Sequence, residues 1–490
     1  MSVIPLFPNL PPNPIIVVGG GLAGVTAAIQ SVNSGANVVL VEKEAKLGGN
    51  SMKASSGISG ALTSQQISLH VNDSVDSFLE DSILSARSGK DHARSLLEIL
   101  TDESADAIKW LTKVCKIDLS TVSLLGGHSQ PRTHRGLSKP PGFAITSTVI
   151  SILSDISERY PQNVKVINQA KLTDIIVHDH EVDGVVIEFQ DSKYRILGPV
   201  ILASGGYSAN KELISKFRPE LSSLPTTNGP YASGDVLSLA LEKGIAGIDL
   251  DKIQVHPTAL VPFDSKIVKD DQFLILGAEM LRGAGGLLLN ARGERFCNEL
   301  GTRDYVSAAI ENTIKETGDD RVLLVLNEEA AKQLQLNVQF YTAKGLMKKL
   351  TAEELIEEIG CDQQDLHQTF SNYNLFADLQ RDEFGKVHFP NIPFNLLNSE
   401  SAQESFYVSY VSRAVHFTMG GLKFNGNAEI EHQDGRVVSG LFGAGEVTGG
   451  LHGDNRLGGN SLLECVVFGK RAALTASSYL LKSLSNYHKL

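Results

Sequence analysis

Cysteine is scarce in this chain of 490 residues: four, at 115, 297, 361 and 465, each more than sixty positions from the next. That spacing excludes a C-x-x-C pair, a haem-attachment site and an iron–sulfur cluster, so redox chemistry here needs an organic cofactor. Long apolar runs are missing as well. None approaches the ~18 residues of a membrane span. Positive charge is in short supply: 44 Lys and Arg stand against 56 Asp and Glu, a formal net charge of −12. This excludes general nucleic-acid binding and docking on anionic lipid, both of which need a basic face. An anionic substrate would have to be met by local cations. The opening MSVIPLFPNLPPNP holds five prolines and no Lys or Arg, which suits neither a signal peptide nor a transit helix, so a cytoplasmic location is expected. The closing His488-Lys489-Leu490 only faintly echoes a peroxisomal tripeptide.

Glycine, by contrast, is abundant, with 45 residues, and 42% of the chain is apolar. That is the composition of an ordinary soluble enzyme with material for about three domains, or for two with one split by an insertion. After a Pro-rich leader (1–13) comes the buried-strand run Ile15-Ile16-Val17-Val18, then Gly19-Gly20-Gly21-Leu22-Ala23-Gly24 opening an Ala-rich helical stretch. A second apolar run at 37–41 ends in Glu42, 18 residues after Gly24. This is a βαβ unit of the dinucleotide-binding type. Gly19 makes the tight turn, Gly21 admits a pyrophosphate, Gly24 lets helix meet strand, and Glu42 accepts a ribose hydroxyl. The Gly48-Gly49-Asn50-Ser51 turn would lie near the cofactor's ribityl side, and Ser204-Gly205 and residues 440–450 are further strand-then-glycine endings. Gly443 and Gly445 are followed by Thr448 where a third glycine would stand, so a single dinucleotide is expected. One dinucleotide site, no metal cluster and late glycines point to a flavoprotein.

Residues 72–115 have helical spacing and 164–203 have period two, as a small antiparallel sheet returning to a buried strand. From 251 to 415 charged helical patterns replace the βαβ plan, which reads as an inserted domain. Fixed donors gather there and at its borders: His256, Glu279 with Arg282, Arg303, His416 and Arg456. Taken singly each could be an ion pair or a core histidine. Together they suit a small dicarboxylate.

The runs GGGLAG, EKEAKLGGNSMKASSGISG, GGHSQPRTHR, LPTTNG, DKIQVHPT, RGAGGLLLN, ERFCNELGTRD, HFTMGG and GAGEVTGGLHGDNRLGGNSLLECVVFGK carry a resemblance over essentially the whole chain. They closely resemble the soluble fumarate reductases of yeasts, and more distantly the flavoprotein subunits of succinate dehydrogenase and flavocytochrome c fumarate reductase, and L-aspartate oxidase. The resemblance implies an α/β fold: a Rossmann-type FAD-binding domain (14–250 and 416–490) with an inserted α+β capping domain (251–415). It implies noncovalent FAD, since 48–60 holds no histidine for a covalent link. The implied cofactor set is Gly19, Gly21, Leu22, Ala23, Gly24, Glu42, Lys43, Gly49, Asn50, Ser51, Ser56, Gly57, Ser204, Gly205, Asp235, Glu446, Arg456, Ser461 and Leu462. By the same likeness His416 and Arg456 grip one carboxylate of fumarate, His256 helps hold the other, and Arg303 gives a proton opposite the hydride. Glu279 and Arg282 resupply it.

Ala278 departs from the Thr or Ser usual before the relay glutamate and removes a hydroxyl donor; Asp454 stands where a small residue is usual. Other readings are L-aspartate oxidase or another 2-enoate reductase and, from a different class, an FAD-stabilised scaffold or RNA-modifying protein. The electron donor expected is a reduced free flavin or an NADH-linked reductase, with neither nucleic acid nor membrane as partner. No metal is expected, and oligomeric state is not legible.

Overall fold

Short apolar runs without alternation make strands buried on both faces, and five of them build the centre of this molecule. The structure is a computed structural model describing residues 4–87, 91–265, 268, 272–396 and 404–487, so the C-terminal tripeptide lies outside the described residues. Val164–Ile167, Val38–Val41, Ile15–Val18, Val200–Leu202 and Val437–Gly443 lie side by side and parallel. The antiparallel meander Ala170–His178, Glu181–Phe189 and Ser192–Leu197, which the period-two stretch predicts, and the short strand Glu429–Glu431 beside Val437–Gly443 extend this to a nine-stranded sheet. Leu22–Asn33 covers one face, and the 28-residue helix Asn460–Tyr487 packs against it. The predicted helical stretch from 72 is Val75–Ala86, Asp91–Asp102 and Ser104–Lys109.

A second, six-stranded antiparallel sheet has the order Ile275–Leu276, Ile253–Val261, Ser405–Thr418, Leu323–Leu326, Leu287–Leu289, with Lys348–Thr351 on the side. Alternate residues of LLL and LLVL serve two cores. Leu288, Leu324 and Leu326 face Val306 and Ile310 of the helix Arg303–Thr317, while Leu287, Leu289, Leu323 and Val325 face Leu355, Leu366 and Phe370. Burial on both faces is why these strands read as unbroken apolar runs. Ser405–Thr418 passes without a break through the expected junction at 415–416 and carries His416 to the nine-stranded sheet's end of the molecule. Among the described residues no helix is long and apolar enough to cross a membrane. The mixed helix and strand architecture is the one expected.

Candidate active site

Parallel strands end on one side of a sheet, and their following turns line whatever lies there. Here that is a cavity of about 1320 Å³, walled by Gly19–Ala23, Glu42–Leu47, Gly49–Gly57, Ala203–Gly205, Ala444–Glu446 and Ser461–Leu462. Gly19 has φ +108°, and a Cβ there would collide with the Ala203 carbonyl, so the turn admits only glycine. A Cβ on Gly24 would strike the Gly19 carbonyl: that glycine sets helix against strand and does not line the cavity. Gly21 is different. Its nearest obstacle is Ser51 Oγ at 3.7 Å, so its missing side chain leaves room at the N-terminus of Leu22–Asn33, where orphan N–H groups and the helix dipole favour a phosphate. Gly49 and Gly205 also open on empty space. Glu42 Oε2 accepts from the Gly20 N–H (2.6 Å) and Oε1 from the Glu44 N–H (2.8 Å), which fixes the carboxylate at the wall for a ribose hydroxyl. These features fit a dinucleotide.

Of the expected cofactor residues, all but Gly24 and Asp235 line the cavity. Asp235 stands behind it, pairing with Lys43 Nζ at 3.0 Å. Burial pushes the Glu446 carboxyl up to about 7, against donation from the Thr418 N–H at 3.0 Å.

Of the expected donors Arg303, His416 and Arg456 line the cavity, while His256, Glu279 and Arg282 do not line it but are clustered with them. Arg303, the first residue of its helix, gives Nη2 and Nε to Glu279 Oε2 (2.7 and 2.9 Å) and Nη1 to Gln254 Oε1 (2.7 Å). Burial alone would raise the Glu279 carboxyl, but Arg303 and Arg282 overrule it and hold it below the usual range. Its Oε1 accepts from the Gly126 N–H (3.0 Å), and Arg282 Nη2 lies 3.9 Å away. Arg282 is wholly buried and donates Nη1 to the Glu299 carbonyl (2.5 Å). Arg456 lies over the Phe417 ring at 4.2 Å with its Nε unpartnered, and burial with Arg303 nearby lowers it to about 9, so it stays charged at neutral pH.

His256 and His416 pack edge to face, ring centroids 5.1 Å apart. Burial and the neighbouring arginines hold both well below the ordinary histidine range, so both are neutral. Thr227 Oγ1 engages His416 Nδ1 (2.7 Å), while His256 Nε2 has no partner. An unsatisfied buried imidazole nitrogen and an unsatisfied guanidinium nitrogen, among three clustered arginines, make a place prepared for an anion.

Three participants were not assigned roles from the sequence. Gln254, two residues before His256 on one strand, orients Arg303 and donates Nε2 to Asn455 Oδ1 and the Arg456 carbonyl (2.9 and 3.0 Å); period two was the available signal. His128 of GGHSQPRTHR is near the Gly458 carbonyl (2.8 Å), and Gly458 flanks Glu279 and Arg303. Tyr341 Oη accepts from the Ala278 N–H (2.9 Å), so the residue without a hydroxyl has its backbone donor engaged too. Asp454 pairs with Lys252 at 2.7 Å, away from Arg456.

The FAD binding domain family description matches residues 14–462. The chain is 40% identical over 480 residues to the fumarate reductase of Schizosaccharomyces pombe, covering 95% of this chain and 90% of that one. It is 40% identical over 477 residues to fumarate reductase 1 of Saccharomyces cerevisiae, covering 94% and 98%. Among solved structures, the open conformation of a flavocytochrome c3 fumarate reductase aligns with a TM-score of 0.73 at 33% identity, covering 96% of this chain and 79% of that one.

Proposed function

This chain belongs to the FAD binding domain family, and from that premise we propose that it is an FAD-dependent fumarate reductase, converting fumarate to succinate. The observation that carries the reading is that Arg303, Arg456 and His416 line the dinucleotide cavity together, with the His256 ring 5.1 Å from that of His416, and that His256 Nε2 and Arg456 Nε are unsatisfied.

FAD, held noncovalently by the glycine turns and Glu42, supplies the hydride when reduced. The protein's residues do the rest. Neutral His416, its Nδ1 engaged by Thr227, turns Nε2 to one substrate carboxylate alongside Arg456; His256 Nε2 serves the other. Charge developing on the far carbon and its carboxylate meets fixed cations in a site that excludes water, which lowers the transition state more than the ground state. Arg303 gives its proton to that carbon. An arginine can do this only to a strongly basic carbanion and only with immediate replacement. Glu279, ionised between Arg303 at 2.7 Å and Arg282 at 3.9 Å, relays the replacement: it takes a proton from Arg282, which is restored from solvent, and passes it to Arg303.

Residues 251–415 act as a cap: the cavity wall includes Leu334–Asn337, Phe340, Tyr341 and Lys344. The single dinucleotide motif is taken by FAD, so electrons arrive from outside the chain, from a reduced free flavin or an NADH-linked reductase. The test is oxidation of reduced flavin with and without fumarate. Fumarate-dependent oxidation with succinate as product is expected; reoxidation indifferent to fumarate would leave an oxidase or a scaffold.

A further inference from the structure

Two hairpins meet at the edge of the nine-stranded sheet remote from the cavity. The turn at 179–180 joins Ala170–His178 to Glu181–Phe189, and the turn at 432–436 joins Glu429–Glu431 to Val437–Gly443. The Ser439 N–H donates to the His180 carbonyl (2.7 Å), tying the two together. Val437–Gly443 delivers Ala444–Glu446 to the cavity from its other end, so this meeting point is about 20 Å away by strand rise alone.

Here three acceptors converge. His180 Nε2 lies 3.4 Å from Asp434 Oδ2, and His432 Nδ1 lies 3.2 Å from Asp434 Oδ1. One ligand atom from each of the three falls within 4.8 Å of the others. Ligands on a tetrahedral cation with bonds of 2.0–2.1 Å stand about 3.4 Å apart, so each imidazole already stands at that distance from one oxygen of the carboxylate, and a small rotation of Asp434 is what a shared ion requires. The rings are held in place: their centroids are 4.4 Å apart edge to face, and His432 Nε2 would lie 2.7 Å from a Cβ on Gly244, so glycine there is what lets the imidazole lie down.

A cationic atom already sits between two of the three, Asp434 and His180. Arg436 donates Nη2 to Asp434 Oδ2 (2.6 Å) and contacts His180 Nε2 with the same nitrogen. Its side chain is 67% exposed, free to swing into water.

We propose that His180, His432 and Asp434 form a binding site for one divalent transition cation of the zinc class, with Arg436 as a displaceable guanidinium plug. Two imidazoles and one carboxylate suit such an ion better than Mg²⁺ or Ca²⁺, and water completes its shell. The ion staples the two hairpins, which stabilises the sheet edge by mass action without touching catalysis.

The experiment uses FAD-loaded protein stripped with chelator, dialysed against Zn²⁺ and assayed for bound zinc and fumarate turnover. Wild type should hold one zinc per chain; His180→Gln and His432→Gln should lose it with turnover unchanged. Arg436→Gln, which removes the competing cation, should bind about tenfold tighter. His178, 73% exposed and paired with Asp183, is the control: His178→Gln should retain the zinc. Equal zinc in wild type and His180→Gln, loss of zinc in His178→Gln, or no tightening in Arg436→Gln overturns the site.

Discussion

Arg303 is bound on both sides by residues that never reach solvent, so its position is fixed before any ligand arrives. Arg303→Ala should retain yellow FAD and lose most fumarate turnover, because one transition-state charge in a dry site contributes about 3 kcal/mol. Retention of more than about a tenth of the rate, equivalent to ~1.4 kcal/mol, would remove the proton-donor role. Arg303→Lys keeps a cation against Glu279 and serves as the folding control, yet it forfeits the two-sided grip. Gln254→Leu is the subtler test. It leaves every charge in place but frees Nη1, and a misplaced donor should lower kcat about ten- to a hundredfold with FAD content unchanged. Gln254→Leu turnover equal to wild type would show that Glu279 alone positions the guanidinium.

In the strand–turn–helix element three glycines of one motif do unlike work, and substitution should separate them. A side chain at Gly21 points into the cavity and meets nothing but Ser51, so Gly21→Val should fold, with a normal melting profile as apoprotein, and bind no FAD. Gly24 lies against the Gly19 carbonyl. Gly24→Val should push the helix Leu22–Asn33 off the sheet and yield little soluble protein. If Gly21→Val stays yellow at full stoichiometry, the pyrophosphate lies elsewhere. Both roles were legible in the sequence, because the spacing of glycines after a strand dictates backbone approach locally. The element that carries His416 was not legible in this way: Ser405–Thr418 is one fourteen-residue strand, and its pairing with Ile253–Val261 brings the two histidine rings edge to face. A pairing between segments so far apart in sequence leaves no local signature.

For the whole molecule, acid should be costly. Burial pushes His128 and His134 down to about 4, and lowers His256 and His452 as well. In the fold these rings are neutral, whereas in the unfolded chain they take up protons as pH falls below about 6.5; stability is therefore present above that pH and lost below it. His128 and His134 should each cost about 2 kcal/mol between pH 6.5 and 5, at about 1.4 kcal/mol per unit. Glu446, held at about 7, works the other way, but one carboxyl is outnumbered by the buried rings. Denaturant midpoints should fall from pH 6.5 to 5, and His134→Gln should flatten the slope. A midpoint rising over that interval would mean the rings are charged in the fold. Cofactor attachment is tested at the same scale. Residues 48–60 hold no histidine, so acid precipitation should leave FAD in the supernatant, and reduction of fumarate should outpace oxidation of succinate. Flavin carried down with the protein, or equal rates in both directions, would contradict noncovalent binding and its preferred direction.

By itself the sequence determined the dinucleotide cradle and the flavoprotein class, and it offered the cations as candidates, because glycine turns, strand runs and arginine-bearing motifs are local and each carries its own physics. It also placed the acid at 454 beside Arg456 in number only; in space Asp454 belongs to Lys252. Only the tertiary structure decided which nitrogen of each donor is left unpaired, that Gln254 and Gly126 complete the grip on Arg303 and Glu279, and that His180 meets His432 across two hairpins. Those facts depend on contacts between residues 49 to 252 positions apart. Hydrogen-bond satisfaction and imidazole charge are properties of the assembled surroundings, so they do not exist until the chain has folded.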